Sequence, residues 1–248
     1  MRFLGNVLAT VIGIFVFMML SFFGIILIGV IFGGDSETVE VENNSVIELN
    51  LSDISDDYAG KYSDPWVTAF SERKKIGLTD VINAIEIAET DDAIKGISIL
   101  NTNSSLGMAQ SKELRDALDK LKKSGKFIYS YANNYSQKEY YLNSVATSIY
   151  INPIGELDFK GLSTEVMFFK DFQEKSGLKM EVIRHGKYKS AVEPFLENKM
   201  SDANKEQTMA LLNGIWTNIV EDISKSRNIP VEKLNTIDFN IENFYKFT

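Results

Sequence analysis

From Leu78 to Ile151 the chain reads LTDVINAIEIAETDDAIKGISILNTNSSLGMAQSKELRDALDKLKKSGKFIYSYANNYSQKEYYLNSVATSIYI, and the spacing of apolar residues along this stretch decides the fold. Leu78, Val81, Ile82, Ile85 and Ala88 recur at the intervals of one helix face, with Thr79 placed to cap its N-terminus. Gly96-Ile-Ser-Ile-Leu100 is a short apolar run and predicts a buried strand. After a polar loop from Asn101 to Gly107, Leu114, Leu118 and Leu121 mark a second helix, which Gly125 ends. Phe127-Ile-Tyr-Ser-Tyr131 predicts a strand, residues 137–146 a helix, and Ser148-Ile-Tyr-Ile151 a further strand stopped by Pro153. Strand and helix thus alternate three times over short connections, the pattern of βαβ units stacked around a mostly parallel sheet.

The flanks extend this reading. Val46-Ile-Glu-Leu-Asn-Leu51 alternates and predicts a first strand. Residues 52–77 mix acids, Gly60, Pro65 and a basic cluster from Arg73 to Lys75, and read as a surface loop. Downstream, Met180-Glu-Val-Ile-Arg184 predicts a strand. Leu212, Ile215, Trp216, Ile219, Val220 and Ile223 then form an apolar stripe on a long helix starting near Ser201.

Toward the N-terminus the composition changes. Val7 to Phe32 is a run of 26 residues without a charge. At 1.5 Å per residue a helix of that length spans roughly 39 Å, more than the ~30 Å hydrocarbon core of a bilayer. The run is longer than the apolar region of a cleavable signal peptide, and Gly33-Gly34-Asp35 ends it with no Ala-x-Ala following. A retained membrane anchor is expected. The division is a short tail at 1–6, a transmembrane helix at 7–32, an acidic linker at 33–45 and a folded domain at 46–248. Arg2 precedes the helix and no Lys or Arg follows until Lys61, so the positive-inside rule leaves the N-terminus in the cytoplasm and the body outside.

Charge and composition exclude several functions. Of 26 Lys and Arg residues only Arg2 lies in the first 33 positions, which leaves 25 bases against 34 acids in the remainder. So acidic a body is a poor match to nucleic acid, which requires clustered cations. With no Cys and a single His, His185, neither thiol catalysis nor a usual zinc ligand set is available, and no metal or cofactor is expected. Gly-Lys occurs at 60–61, 125–126 and 186–187, but Tyr or Phe follows each time, so no P-loop can form. There is no Gly-x-Ser-x-Gly elbow and no Gly-x-Gly-x-x-Gly after a strand.

One segment does carry a motif. Residues 183–200 read Ile-Arg-His-Gly-Lys-Tyr-Lys-Ser-Ala-Val-Glu-Pro-Phe-Leu-Glu-Asn-Lys-Met. This closely resembles the lysine segment of the signal peptide peptidase A (protease IV) family, whose core Tyr-Lys-Ser-Ala-Val-Glu-Pro-Phe holds the catalytic lysine. Matched position by position, that lysine is Lys189, not Lys187. Asn134-Tyr-Ser-Gln-Lys-Glu-Tyr-Tyr-Leu142, Ile151-Asn-Pro-Ile-Gly155 and Gly161-Leu-Ser-Thr-Glu165 resemble the N-terminal half of the family's long tandem form.

The resemblance implies an α/β fold of the Clp-protease or crotonase type, a spiral of ββα units, preceded here by one transmembrane helix. It implies a homotetramer in the bacterial inner membrane acting on signal peptides, in which a second, C-terminal domain brings the nucleophilic serine. No such serine motif occurs before Thr248, so the sequence is expected either to be a fragment or to receive the serine from another chain. Ser136 is a tempting substitute. If Tyr140 matches the tyrosine of the serine motif, however, the nucleophile position falls on Gln137, and Lys138 and Glu139 replace a Gly-Gly pair. Ser136 reads better as a helix N-cap.

A serine attacking a peptide carbonyl needs a base, and a neutral lysine can serve. Free lysine has a pKa of ~10.4; lowering it by ~3 units through burial costs about 4 kcal/mol. Tyr188, Ala191, Val192 and Phe195 would supply an apolar setting for Lys189, while Arg184, Lys187 and Lys199 read as solvated cations. Two other readings stand beside the peptidase: a non-catalytic scaffold on the same half-fold, and an acyl-CoA enzyme of crotonase type, which the membrane helix and lysine motif disfavour.

Overall fold

The computed structural model describes residues 2–32, 41–58, 76–178, 180–183, 185–186 and 188–236. The chain divides into two units, Met1–Val41 and Glu42–Thr248. In the first, helix α1 runs from Arg2 to Phe32. It contains the whole of the expected membrane span 7–32. Its stretch Arg2–Ile28 is long and apolar enough to cross a membrane.

The second unit is built on a four-stranded parallel sheet in the order β1 (Ser45–Asn50), β2 (Ile94–Leu100), β3 (Phe127–Ala132), β4 (Ser148–Ile151). Helices α2 (Leu78–Thr90), α3 (Met108–Lys123) and α4 (Gln137–Asn143) connect them. Sequential order means that every crossover steps one strand in the same direction. Crossovers of one hand then stack the helices on one face, and α2 packs on α3 and α3 on α4. The register aligns Ile47, Ile97 and Ile128, and beside them Leu49, Ile99, Ser130 and Ile149. Leu49, Ile97, Ile99 and Ile128 form the main core with Val81, Ile85, Leu114, Leu118, Leu121 and Leu142 from the helices, and Ile47 and Ile149 pack against it. Neighbouring positions point to the other face of the pleat, where Tyr129, Tyr131 and Tyr150 are exposed.

The expected α/β alternation is therefore present, with corrections of physical interest. Gly77, not Thr79, is the N-cap of α2. The carbonyls of Asp56 and Asp57 accept from Leu78 and Thr79 N–H at 2.9 and 3.1 Å, so the preceding loop does the work of a capping side chain. Helix α3 ends as expected: Ser124 is its C-cap and Gly125 takes φ +94°, a conformation glycine alone adopts without strain. Helix α4 stops at Asn143 rather than 146, because the Asn143 side chain is buried against Ser130 and Asn101 and the chain turns there. Two isolated parallel bridges, Ile54 to Ile76 and Tyr135 to Leu157, lie outside the four strands.

Beyond β4 lie α5 (Lys170–Ser176), α6 (Glu193–Leu196), the long α7 (Asp202–Arg227) and α8 (Val231–Asn235). No strand forms at Met180–Ile183; Ile183 is fully exposed and Met180 N–H donates instead to Gln173 Oε1 at 3.0 Å. Arg184, the last residue of the expected strand, lies outside the described residues. Most of the surface loop expected at 52–77 and of the linker lies outside them too. Helix α7 is capped by Ser201, which accepts from Asn204 N–H at 3.2 Å. Only Ile219, Val220 and Ile223 of its expected stripe are buried, in a second core with Tyr141, Phe159, Ile229 and Leu234; Ile215 is exposed.

Arg115 fixes α7 to the sheet unit. Only 3% exposed, its guanidinium donates to Tyr141 O and Ser226 Oγ, to Ser144 Oγ at 2.7 Å and to Asp222 O at 2.9 Å. Burial pulls its pKa below the ordinary arginine value, against the opposing pull of Tyr141 and Asp222, but guanidinium remains charged at any workable pH. Tyr141 Oη–H closes the network on Asp222 Oδ2 at 2.9 Å.

Candidate active site

Lys189 sits where an irregular segment becomes helical. It is the N-cap of a 3-10 turn, Ser190–Val192, that leads directly into α6. Gly186 takes φ +103° just before it, a conformation that favours glycine. Lys189 is exposed, as are Ala191 and, at 48%, Tyr188; Val192 and Phe195 are half-buried. The apolar setting expected from the sequence is not closed within the described residues. Lys199 and His185 are exposed as well, and Lys187 lies outside the described residues.

The segment bearing Lys189 is held on both sides. The Glu193 carboxylate, 3% exposed, accepts from Ser201 Oγ–H at 2.5 Å, Ser201 N–H at 3.2 Å and Asn204 Nδ2 at 3.0 Å. Tyr188 Oη–H reaches Glu206 Oε2 at 3.4 Å. From the opposite side, Phe169 N–H donates to Pro194 O at 2.6 Å and Gln173 Nε2 to Phe195 O at 2.8 Å, while the rings of Phe169 and Phe195 stack at 5.9 Å. These anchors were not legible in the sequence: Glu193 sits in the motif, but its partners come from the next helix.

The tempting nucleophile is otherwise engaged. Ser136 is the N-cap of α4 in a capping box: its Oγ–H donates to Glu139 Oε2 at 2.8 Å and its Oγ accepts from Glu139 N–H at 3.3 Å. Glu139 also accepts from Ser136 N–H and from Ser104 N–H, at 2.9 and 3.2 Å. Burial alone would raise the Glu139 carboxyl; the hydrogen bonds from Ser136 and Ser104 outweigh it and hold the group below its ordinary value. Gln137 clamps the following loop: Oε1 accepts from Lys160 and Gly161 N–H at 3.1 and 2.8 Å, and Nε2 donates to Gly161 O at 3.2 Å. Lys138 Nζ donates to Leu106 O. The clamped loop walls a cleft of about 270 Å³ against Leu212, Trp216 and Leu234, and Lys189 does not line it.

Comparison with known proteins bears on this arrangement. Residues 120–240 match the family described as peptidase family S49, a span that contains Ser136, Gln137, Lys189 and Glu193. The chain is 36% identical over 211 residues to Protease 4 of Haemophilus influenzae, covering 81% of this chain and 34% of that protein. It is 35% identical over 159 residues to Protease 4 of Salmonella typhi, covering 63% of this chain and 26% of the relative. It is 32% identical over 184 residues to the chloroplastic serine protease SPPA of Arabidopsis thaliana, covering 74% and 26% respectively. The chain thus spans between a quarter and about a third of the length of these relatives. The match and these identities place residues 120–240, the lysine segment among them, in peptidase family S49.

Proposed function

We propose that this chain supplies the lysine half of a membrane-anchored Ser-Lys endopeptidase that degrades cleaved signal peptides, with the serine brought by a C-terminal domain absent from these residues. The observation that carries the reading is Lys189 in its motif, presented at the head of a helical turn, while Ser136 and Gln137 are spent on capping and on clamping a loop. In the reaction, neutral Lys189 Nζ accepts the proton of the incoming serine hydroxyl as it attacks the peptide carbonyl, then returns it to the leaving amine. Lys189 is exposed within this chain, and burial is what favours a neutral amine. The covering surface of the serine domain therefore has two tasks, bringing the hydroxyl and stripping water from Nζ. Assembly as a homotetramer and an inner-membrane location with the body outside complete the reading; α1 provides the anchor.

The scaffold reading has one observation in its favour, the absence of an uncommitted nucleophile beside α4. Turnover of an unstructured peptide by the whole protein, with Lys189→Met and Lys187→Met assayed side by side, separates the two. Methionine keeps the length and apolar body of lysine but accepts no proton, so Lys189→Met is expected to abolish turnover and Lys187→Met to be mild. Lys189→Arg should also fail, since guanidinium stays protonated. An active Lys189→Met enzyme, or equal losses from both methionine variants, overturns the assignment.

A further inference from the structure

Lys189 is an exposed side chain on a non-helical segment, yet a general base must be held within hydrogen-bond reach of the hydroxyl it serves. Something other than burial must fix its direction. The residues between Lys189 and Glu193 are a 3-10 turn followed without interruption by α6, so there is no loose joint between the lysine backbone and the Glu193 side chain. Glu193 is the most deeply buried acid of the motif, and its carboxylate takes three donors from the first turn of α7. A carboxylate there meets the positive end of a long helix and makes charge-assisted bonds. Helix α7 is in turn tied to α3 and α4 by Arg115. A continuous run of contacts therefore leads from the sheet unit through Arg115 and α7 to Glu193, and from there to the lysine.

We propose that Glu193 is a positioning residue for Lys189: it clips the lysine-bearing turn to the N-terminus of α7 and so sets where Nζ meets the serine. The inference rests on the reading of Lys189 as the base. Glu193 is buried against the start of α7 and acts through the turn alone, so a turn released from α7 lets Nζ wander without altering what binds the peptide. The loss therefore falls on kcat and not on KM.

The test uses the whole protein, serine domain included, in detergent with a fluorogenic peptide. Parent, Glu193→Gln, Glu193→Leu, Ser201→Ala and Lys189→Met are compared at matched folded fractions. Glu193→Leu, which keeps bulk but no acceptor, is expected to lower kcat by about 30- to 100-fold, the scale of a catalytic group displaced by about an ångström, with KM within about twofold. Glu193→Gln retains one acceptor oxygen and should recover part of the rate. If Glu193→Leu does not fold, Ser201→Ala decides, with an expected kcat loss of about 3- to 10-fold. Equal kcat in the parent and the folded Glu193 variants, or in Ser201→Ala where it has to decide, overturns the positioning role while an inactive Lys189→Met leaves the base assignment standing. An active Lys189→Met, or an inactive parent, removes both.

Discussion

Glu139 accepts hydrogen bonds from two backbone N–H groups and from the Ser136 hydroxyl, and this fixes the sign of its pH dependence. Its folded-state pKa lies below the unfolded value. The stabilisation it gives is complete above the ordinary carboxyl range, near 4.3, and is lost as pH falls through the lowered folded value. Glutamine cannot titrate, so the melting temperature of Glu139→Gln should trail the parent at about pH 7 and the gap should close toward about pH 3. A gap that stays constant over that range would mean that the carboxylate charge contributes nothing. The capping role of Ser136 was legible because Ser-x-x-Glu is a local pattern that needs only three residues of spacing. The exposure of Lys189 was not: its surroundings depend on surfaces the segment itself does not carry.

At the scale of elements, the helices and strands of the sheet unit could be read because each has its own period and its ends are marked by short polar turns. The misread elements are those whose state is decided elsewhere. Met180–Ile183 has a strand-like composition but pairs with no strand among the described residues, and the N-cap of α2 was missed because Asp56 and Asp57 of the preceding loop supply the carbonyls. Helix α7 shows both cases along one axis. Its C-terminal half is packed through Ile219, Val220 and Ile223, and its N-terminal half exposes Met209, Leu211 and Ile215. Amide exchange should accordingly be slow around 219–223 and faster around 209–215, measured on the same sample. Arg115→Met should erase that contrast. It removes the charged donor from two carbonyls and two hydroxyls, at a cost on the order of 3 kcal/mol in urea unfolding, and frees the packed half of the helix. Unchanged exchange in Arg115→Met would show that Ile219, Val220 and Ile223 suffice to hold α7.

For the molecule as a whole, the decisive asymmetry is between the apolar N-terminal helix and the acidic body that follows it. Arg2 and the terminal amine are the cations on one side of α1, and no Lys or Arg occurs on the other before Lys61. Retention of cations near a membrane end holds that end in the cytoplasm, whereas acids contribute little to orientation, so the acidic linker does not oppose the choice. By that rule the body is expected on the outer side of the membrane. A reporter that works only in the cytoplasm, fused after Thr248, should be silent, and one that works only outside should be active. The signal is thin, since it rests on few charges, and this makes it sensitive to change. Placing three lysines in the stretch Asp35–Asn44, immediately after the helix, should shift a measurable fraction of molecules to the opposite orientation and light the cytoplasmic reporter. If the unaltered chain already lights it, the body lies inside and the peptidase reading loses its substrate side. If the lysines change nothing, orientation is set by the folded body and not by Arg2.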